Sequence, residues 1–211
     1  MARKRPQIPS TAALGFQAGI GVVGLLAIFL FGIPVQYDGL SFGSVVLWGV
    51  AGSVATYVVI MMLTWLPGRL RDSLESQLEQ LHRFACEYSW PVLVALAVFA
   101  GVGEELLFRG AVQGWLAQHT HDAVAIVAAS VLFGMVHYLS FTYFLLATGL
   151  GLVLGVAYAL TDSLLLVMVW HGVYDMIALY CLRRFPEWFG VRVGYTRNTS
   201  PGLRVGNPRF G

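Results

Sequence analysis

Six ionisable residues sit inside stretches that are otherwise apolar: Glu104, Glu105, Arg109, His137, His171 and Asp175. Their spacing is helical. Glu105 and Arg109 are four apart, as are Phe133 and His137, and His171 and Asp175, so each pair shares a helix face. Glu104 points about 100° away from Glu105 around the same helix. A carboxylate facing a cavity that admits water is what general-base hydrolysis requires, and Glu104 is the candidate base. His137 and His171 are then placed to orient that water or to donate to an oxyanion, and Asp175 to fix the orientation of His171 from the next turn. Glu105, neutralised by Arg109, is expected to support Glu104.

Each of these residues also has a plainer reading. His137 alone reads as a hydrogen-bonded interior histidine, Phe133 as core, and Glu105 with Arg109 as a buried ion pair that sets helix register. Asp175 reads as a hydrogen-bond partner for its neighbours. The set argues otherwise, because a charge at the centre of a spanning helix costs about 2.5 to 3.5 kcal/mol and normally faces a functional interior. His119 and His121 fall near a turn and His82 on a polar connector, so all three are expected to be exposed.

The segments that must position these groups are membrane helices. Of the 211 residues, 57% are hydrophobic and 11% charged, with a mean hydropathy of +0.71; a soluble domain carries about 25% charged residues. Apolar runs at 12–33, 43–66, 91–118, 122–139, 141–160 and 164–181 predict an all-α, polytopic bundle of about six transmembrane helices. The run from 122 is at the short end of the spanning range, and the run from 12 is longer than the apolar core of a cleavable signal. Between the second and third runs, Leu70, Leu74, Leu78, Leu81, Phe84 and Tyr88 recur every three or four residues among charges, which predicts an amphipathic helix along the interface. Pro67-Gly68 ends the helix before it, and Ser89 with Pro91 starts the helix after it.

Residues 1–182 are expected to form one transmembrane domain and residues 183–211 a basic cytoplasmic tail with little regular structure. Phe185, Trp188 and Phe189 of that tail suit the headgroup layer, and the Asn198-Thr199-Ser200 sequon is expected on the cytoplasmic side. The distribution of arginine, with Lys4 the single lysine, favours an even number of spans with both termini in the cytoplasm, and the expected location is the plasma (inner) membrane. The glycine pairs Gly15/Gly19, Gly110/Gly114 and Gly151/Gly155 are expected to be helix-packing sites. Cys86 and Cys181 read as isolated thiols, and the absence of a basic stripe with interleaved aromatics argues against nucleic acid as a partner.

Three motifs now stand in order: Glu104-Glu105-Leu106-Leu107-Phe108-Arg109 as EExxxR, Phe133 to His137 as FxxxH, and His171 to Asp175 as HxxxD. Together they resemble the CPBP intramembrane proteases, a family that includes prenyl-protein CAAX endopeptidases and bacteriocin-processing or self-immunity proteins. The resemblance covers about residues 90–182. It implies an endopeptidase in which Glu104 activates water, His137 and His171 assist it, and Asp175 holds a position where many members carry Asn. Glu105, Arg109 and Phe133 fall on supporting positions. The expected substrate is a membrane-associated protein or peptide, with the lipid bilayer as the other partner.

Members of the family have been described both with and without metal. Zinc held by Glu104, His137 and His171 remains open beside a metal-free scheme, which the adjacent Glu residues favour. Two other functions compete with proteolysis: a proton-coupled transporter, since buried Glu and His also build proton relays, and a non-catalytic immunity or scaffold protein of the same fold.

Overall fold

The structure is a computed structural model, which describes residues 8–37, 39–65 and 69–191. All regular secondary structure among these residues is helical. The elements are α1 (Ser10–Leu30), α2 (Phe42–Trp65), α3 (Arg69–Glu87), α4 (Trp90–Glu105), a π-helical segment (Leu106–Gln113), α5 (Gly114–His119), α6 (Asp122–Val136), α7 (Phe141–Thr161), α8 (Leu164–Arg184) and a 3-10 turn (Pro186–Phe189). Helix α4, the π segment and α5 are continuous and form one 30-residue apolar rod, Trp90–His119.

This rod, α1, α2, α7 and α8 give five helices long and apolar enough to cross a membrane, so the chain is an integral membrane protein. The expected sixth span is shorter than the run of apolar residues suggested. Helix α6 stops at Val136 and has 15 residues, about 22 Å at the α-helical rise and short of the ~30 Å hydrocarbon layer. The amphipathic helix forms as α3, whose Leu74 and Ala85 are buried where it packs against α8.

Helix boundaries follow local chemistry. Ser140 Oγ accepts from the Tyr143 backbone N–H at 3.2 Å to start α7, and Ser163 Oγ accepts from that of Leu166 at 3.3 Å to start α8, as N-cap residues do. At the start of α6, His121 plays this part, with its ring nitrogen accepting from Ala123 at 3.2 Å. Ser89 occupies the cap position before Pro91 as expected, but its side chain makes no capping bond. The α7–α8 connection turns at Asp162, whose φ of 49° is left-handed.

Glycines set the distances between the elements that carry the ionisable residues. A Cβ on Gly101 of α4 would lie 2.6 Å from the Gly172 backbone nitrogen of α8, and one on Gly24 of α1 would lie 2.7 Å from the Leu107 nitrogen. Both crossings therefore need a missing side chain. Gly151 and Gly155 of α7 are packing sites as expected: added Cβ atoms would meet the Ser130 Cα at 3.1 Å and Gln113 Oε1 at 2.8 Å. Gly110 and Gly114 likewise pack, against Ile28 and Ile33. Gly15 and Gly19 do not, since nothing lies within 4 Å of a Cβ at either. On α1 the contact falls instead on Gly21 and Gly24, because those positions face the rod.

The described part of the expected tail is more ordered than its composition suggested. Helix α8 runs to Arg184, and Pro186–Phe189 form the 3-10 turn, with the Phe185 and Trp188 rings stacked at 4.4 Å. Arg3, Lys4, Arg5, Pro67, Gly68, the sequon and the tail beyond residue 191 lie outside the described residues.

Candidate active site

The two adjacent carboxylates at the end of α4 enter different surroundings. Glu105 is fully buried. Its Oε1 accepts from Arg109 Nη1 at 2.9 Å and lies 2.7 Å from His171 Nδ1. Arg109, 1% exposed, also donates from Nη2 to the Gly151 carbonyl at 2.9 Å and lies 4.7 Å from the centroid of the Phe133 ring. One turn on, Gln113 repeats the move and donates to the Gly155 carbonyl at 3.0 Å. The missing side chains of Gly151 and Gly155 thus open a face of α7 on which an arginine and a glutamine of the rod find acceptors.

Glu104 faces elsewhere. Its Oε2 lies 3.4 Å from His137 Nε2, and its Oε1 accepts from the Gln17 side-chain amide of α1 at 2.9 Å. Oε2 is buried with no hydrogen-bond partner among the described residues, as is Oε2 of Glu105. His137 follows the last residue of α6 and turns back on it, with Nδ1 2.8 Å from the Phe133 carbonyl. A carbonyl only accepts, so Nδ1 carries the proton and Nε2 is left toward Glu104. The same logic applies to His171: Nδ1 meets a carboxylate oxygen, and Nε2 is left 3.7 Å from Asp175 Oδ2.

Phe133 is the packing centre of the group. Its ring is 4.4 Å from that of His137, 5.8 Å from that of His171 and 5.2 Å from that of Phe108. The arrangement is graded in exposure. The side chains of His137 and Asp175 are 31% and 29% exposed, that of Glu104 is 8%, and that of Glu105 is sealed. The exposed side of the group is therefore the one that carries His137 and Asp175.

Residues 87–177 match the family described as Type II CAAX prenyl endopeptidase Rce1-like. Over this segment the match bears out the resemblance to the CPBP/CAAX proteases. No curated protein and no solved structure matches the chain.

All seven residues picked out by the CAAX protease motifs fall in this one network, but two contacts differ from expectation. The hydrogen bond expected to orient His171 from Asp175 comes from Glu105, 66 positions away, while Asp175 stands off at 3.7 Å. Glu105 is consequently shared between Arg109 and His171 rather than committed to Arg109. Gln17 was not among the expected residues. Its signal, an amide in the middle of an apolar span, was present in the sequence but had no spacing relation to the three motifs. His119 and His121 are exposed as expected, whereas His82 is half-buried on α3, 3.6 Å from Cys86 Sγ.

Among the described residues no group of three or more His, Cys, Asp or Glu is arranged to hold a metal ion. The zinc set offered by the resemblance, Glu104, His137 and His171, is not assembled: His171 hydrogen-bonds Glu105 on one side and faces Asp175 on the other. The residues as arranged do not fit a tetrahedral zinc site.

Proposed function

We propose that this chain is an intramembrane endopeptidase that hydrolyses a peptide bond of a membrane-associated substrate with water activated by Glu104. The observation that carries the reading is the state of Glu104. It is a nearly buried carboxylate with one oxygen held by Gln17 and the other, Oε2, without a hydrogen bond among the described residues, beside Nε2 of the partly exposed His137. The pair is 3.4 Å apart, so a water seated to one side of it, rather than between, has an acceptor for each of its protons.

In this scheme Glu104 takes a proton as the water oxygen attacks the scissile carbonyl. The new C–O bond moves an electron pair onto the carbonyl oxygen. His171, anchored through Nδ1 to Glu105, donates from Nε2 to that oxyanion when the nitrogen carries its proton, and Asp175 stands behind the same nitrogen. Glu104 then returns its proton to the departing amine as the C–N bond breaks, acting first as base and then as acid. Glu105 and Arg109 hold His171, and Phe133 keeps both imidazoles at their spacing.

The family description supports a substrate whose C-terminus carries a prenylated CAAX sequence. A plasma-membrane location suits such a substrate, and both termini lie in the cytoplasm, as the distribution of arginine favours, when the short α6 completes an even number of crossings. The test is proteolysis of a fluorogenic prenylated CAAX peptide by the purified full chain in detergent. Glu104→Gln keeps the shape and removes the base, so a fall in kcat of at least about 10²-fold is expected. An undiminished rate overturns the proposal.

A further inference from the structure

We infer that Gln17 of α1 is a positioning residue for the water-activating carboxylate, supplied from outside the segment that carries the family motifs. The inference rests on the assignment of Glu104 as base and adds the helix that aims it.

A carboxylate can only accept, so the nitrogen of the Gln17 amide must be the atom 2.9 Å from Glu104 Oε1. That single donor decides which carboxylate oxygen remains free. With Oε1 engaged, Oε2 is the oxygen presented to His137. Without the bond, Glu104 is free to rotate and either oxygen, or neither, faces the water site. Geometry of this kind must be held within about 0.5 Å to be productive.

Two further observations tie Gln17 to this role. The backbone of α1 approaches α4 where the bond forms: a Cβ on Gly103 would lie 3.0 Å from the Gln17 carbonyl oxygen. Helix α1 contributes little else to the interior, and its buried residues are Gly21 and Gly24, which serve the same crossing. Gln17 is also the one amide in an apolar 21-residue helix, where a polar side chain carries a cost that packing does not require.

The experiment uses the purified full chain and the prenylated peptide assay, with Gln17→Met and Gln17→Glu. Both substitutions keep the length of the side chain. Met removes the donor, and Glu replaces it with an acceptor facing a carboxylate. The expected result is a fall in kcat of about tenfold or more for each, equivalent to one charge-assisted hydrogen bond. KM stays within about twofold, and the thermal midpoint of Gln17→Met is unchanged or higher, because an apolar side chain suits this helix. A structural role predicts the reverse for Met: stability moves and kcat does not. If Glu104→Gln abolishes activity while Gln17→Met retains full kcat, the positioning role is overturned and the assignment of Glu104 stands. If Glu104→Gln is itself fully active, the functional reading beneath both has failed.

Discussion

Replacing Arg109 by Met isolates the interaction on which the buried half of the site depends. The guanidinium is 1% exposed and makes three contacts, with Glu105 Oε1, the Gly151 carbonyl and the Phe133 ring. Met fills most of its volume and leaves Glu105 sealed, with His171 as its one remaining partner. Removing one member of a buried pair costs about 3 to 5 kcal/mol. For a chain of this size each kcal/mol moves the thermal midpoint by about 2 to 4 °C, so a drop of about 6 to 20 °C is expected in thermal unfolding of the purified protein in one detergent. Glu105→Gln gives the second arm of a double-mutant cycle, since the Gln carbonyl still accepts from His171 Nδ1 while the charge is gone. Combining the two restores most of the loss, with a coupling of at least about 2 kcal/mol. A loss below about 1 kcal/mol for Arg109→Met, or strict additivity, refutes the account of Arg109 as the charge that allows Glu105 to be buried.

Glycine substitutions should separate by contact rather than by motif. Gly155→Ala and Gly151→Ala are expected to cost about 1 to 3 kcal/mol through overpacking, while Gly15→Ala and Gly19→Ala stay within about 0.5 kcal/mol, all read in the same melts. Gly101→Ala places a methyl against the α8 backbone and should lower activity about tenfold by moving Glu105 away from His171. Incubation with a zinc chelator should leave the peptidase rate within about twofold, because no metal set is assembled among the described residues; a loss that added zinc restores would refute the metal-free scheme.

The pairs four residues apart were legible because helical periodicity is local: Glu105 with Arg109, Phe133 with His137, and His171 with Asp175 are set by the chain within a single turn. What was not legible depends on which helix faces meet. His171 and Glu105 are brought together by the Gly101–Gly172 crossing, and Gln17 reaches Glu104 through the approach of Gly21 to Gly103. Glycine composition advertised such crossings without saying which face of α1 turned inward, so the Gly15/Gly19 pair misled where Gly21 and Gly24 make the contact. The end of α6 was hidden for a similar reason. Tyr138 and Leu139 continue the apolar run, but the helix stops at Val136, and Ser140 begins the next one. Nor does composition signal the π-helical turn from Leu106 to Gln113, the kind of irregularity found at functional sites.

The division between the two carboxylates is decided by α6 as much as by α4. Neighbouring positions on a helix necessarily point into different interhelical spaces, and here one lies among the rod, α7 and α8, the other between α1 and the end of α6. The first is sealed by glycine-mediated contact, so Glu105 needs a permanent counter-charge and is occupied by Arg109 and His171. The second is bordered by the end of α6, a helix of only 15 residues, where His137 is partly exposed. Glu104 borders that partly exposed histidine and Glu105 does not. A full-length sixth span would close that edge, and the same two glutamates would then be two buried charges with a single arginine between them.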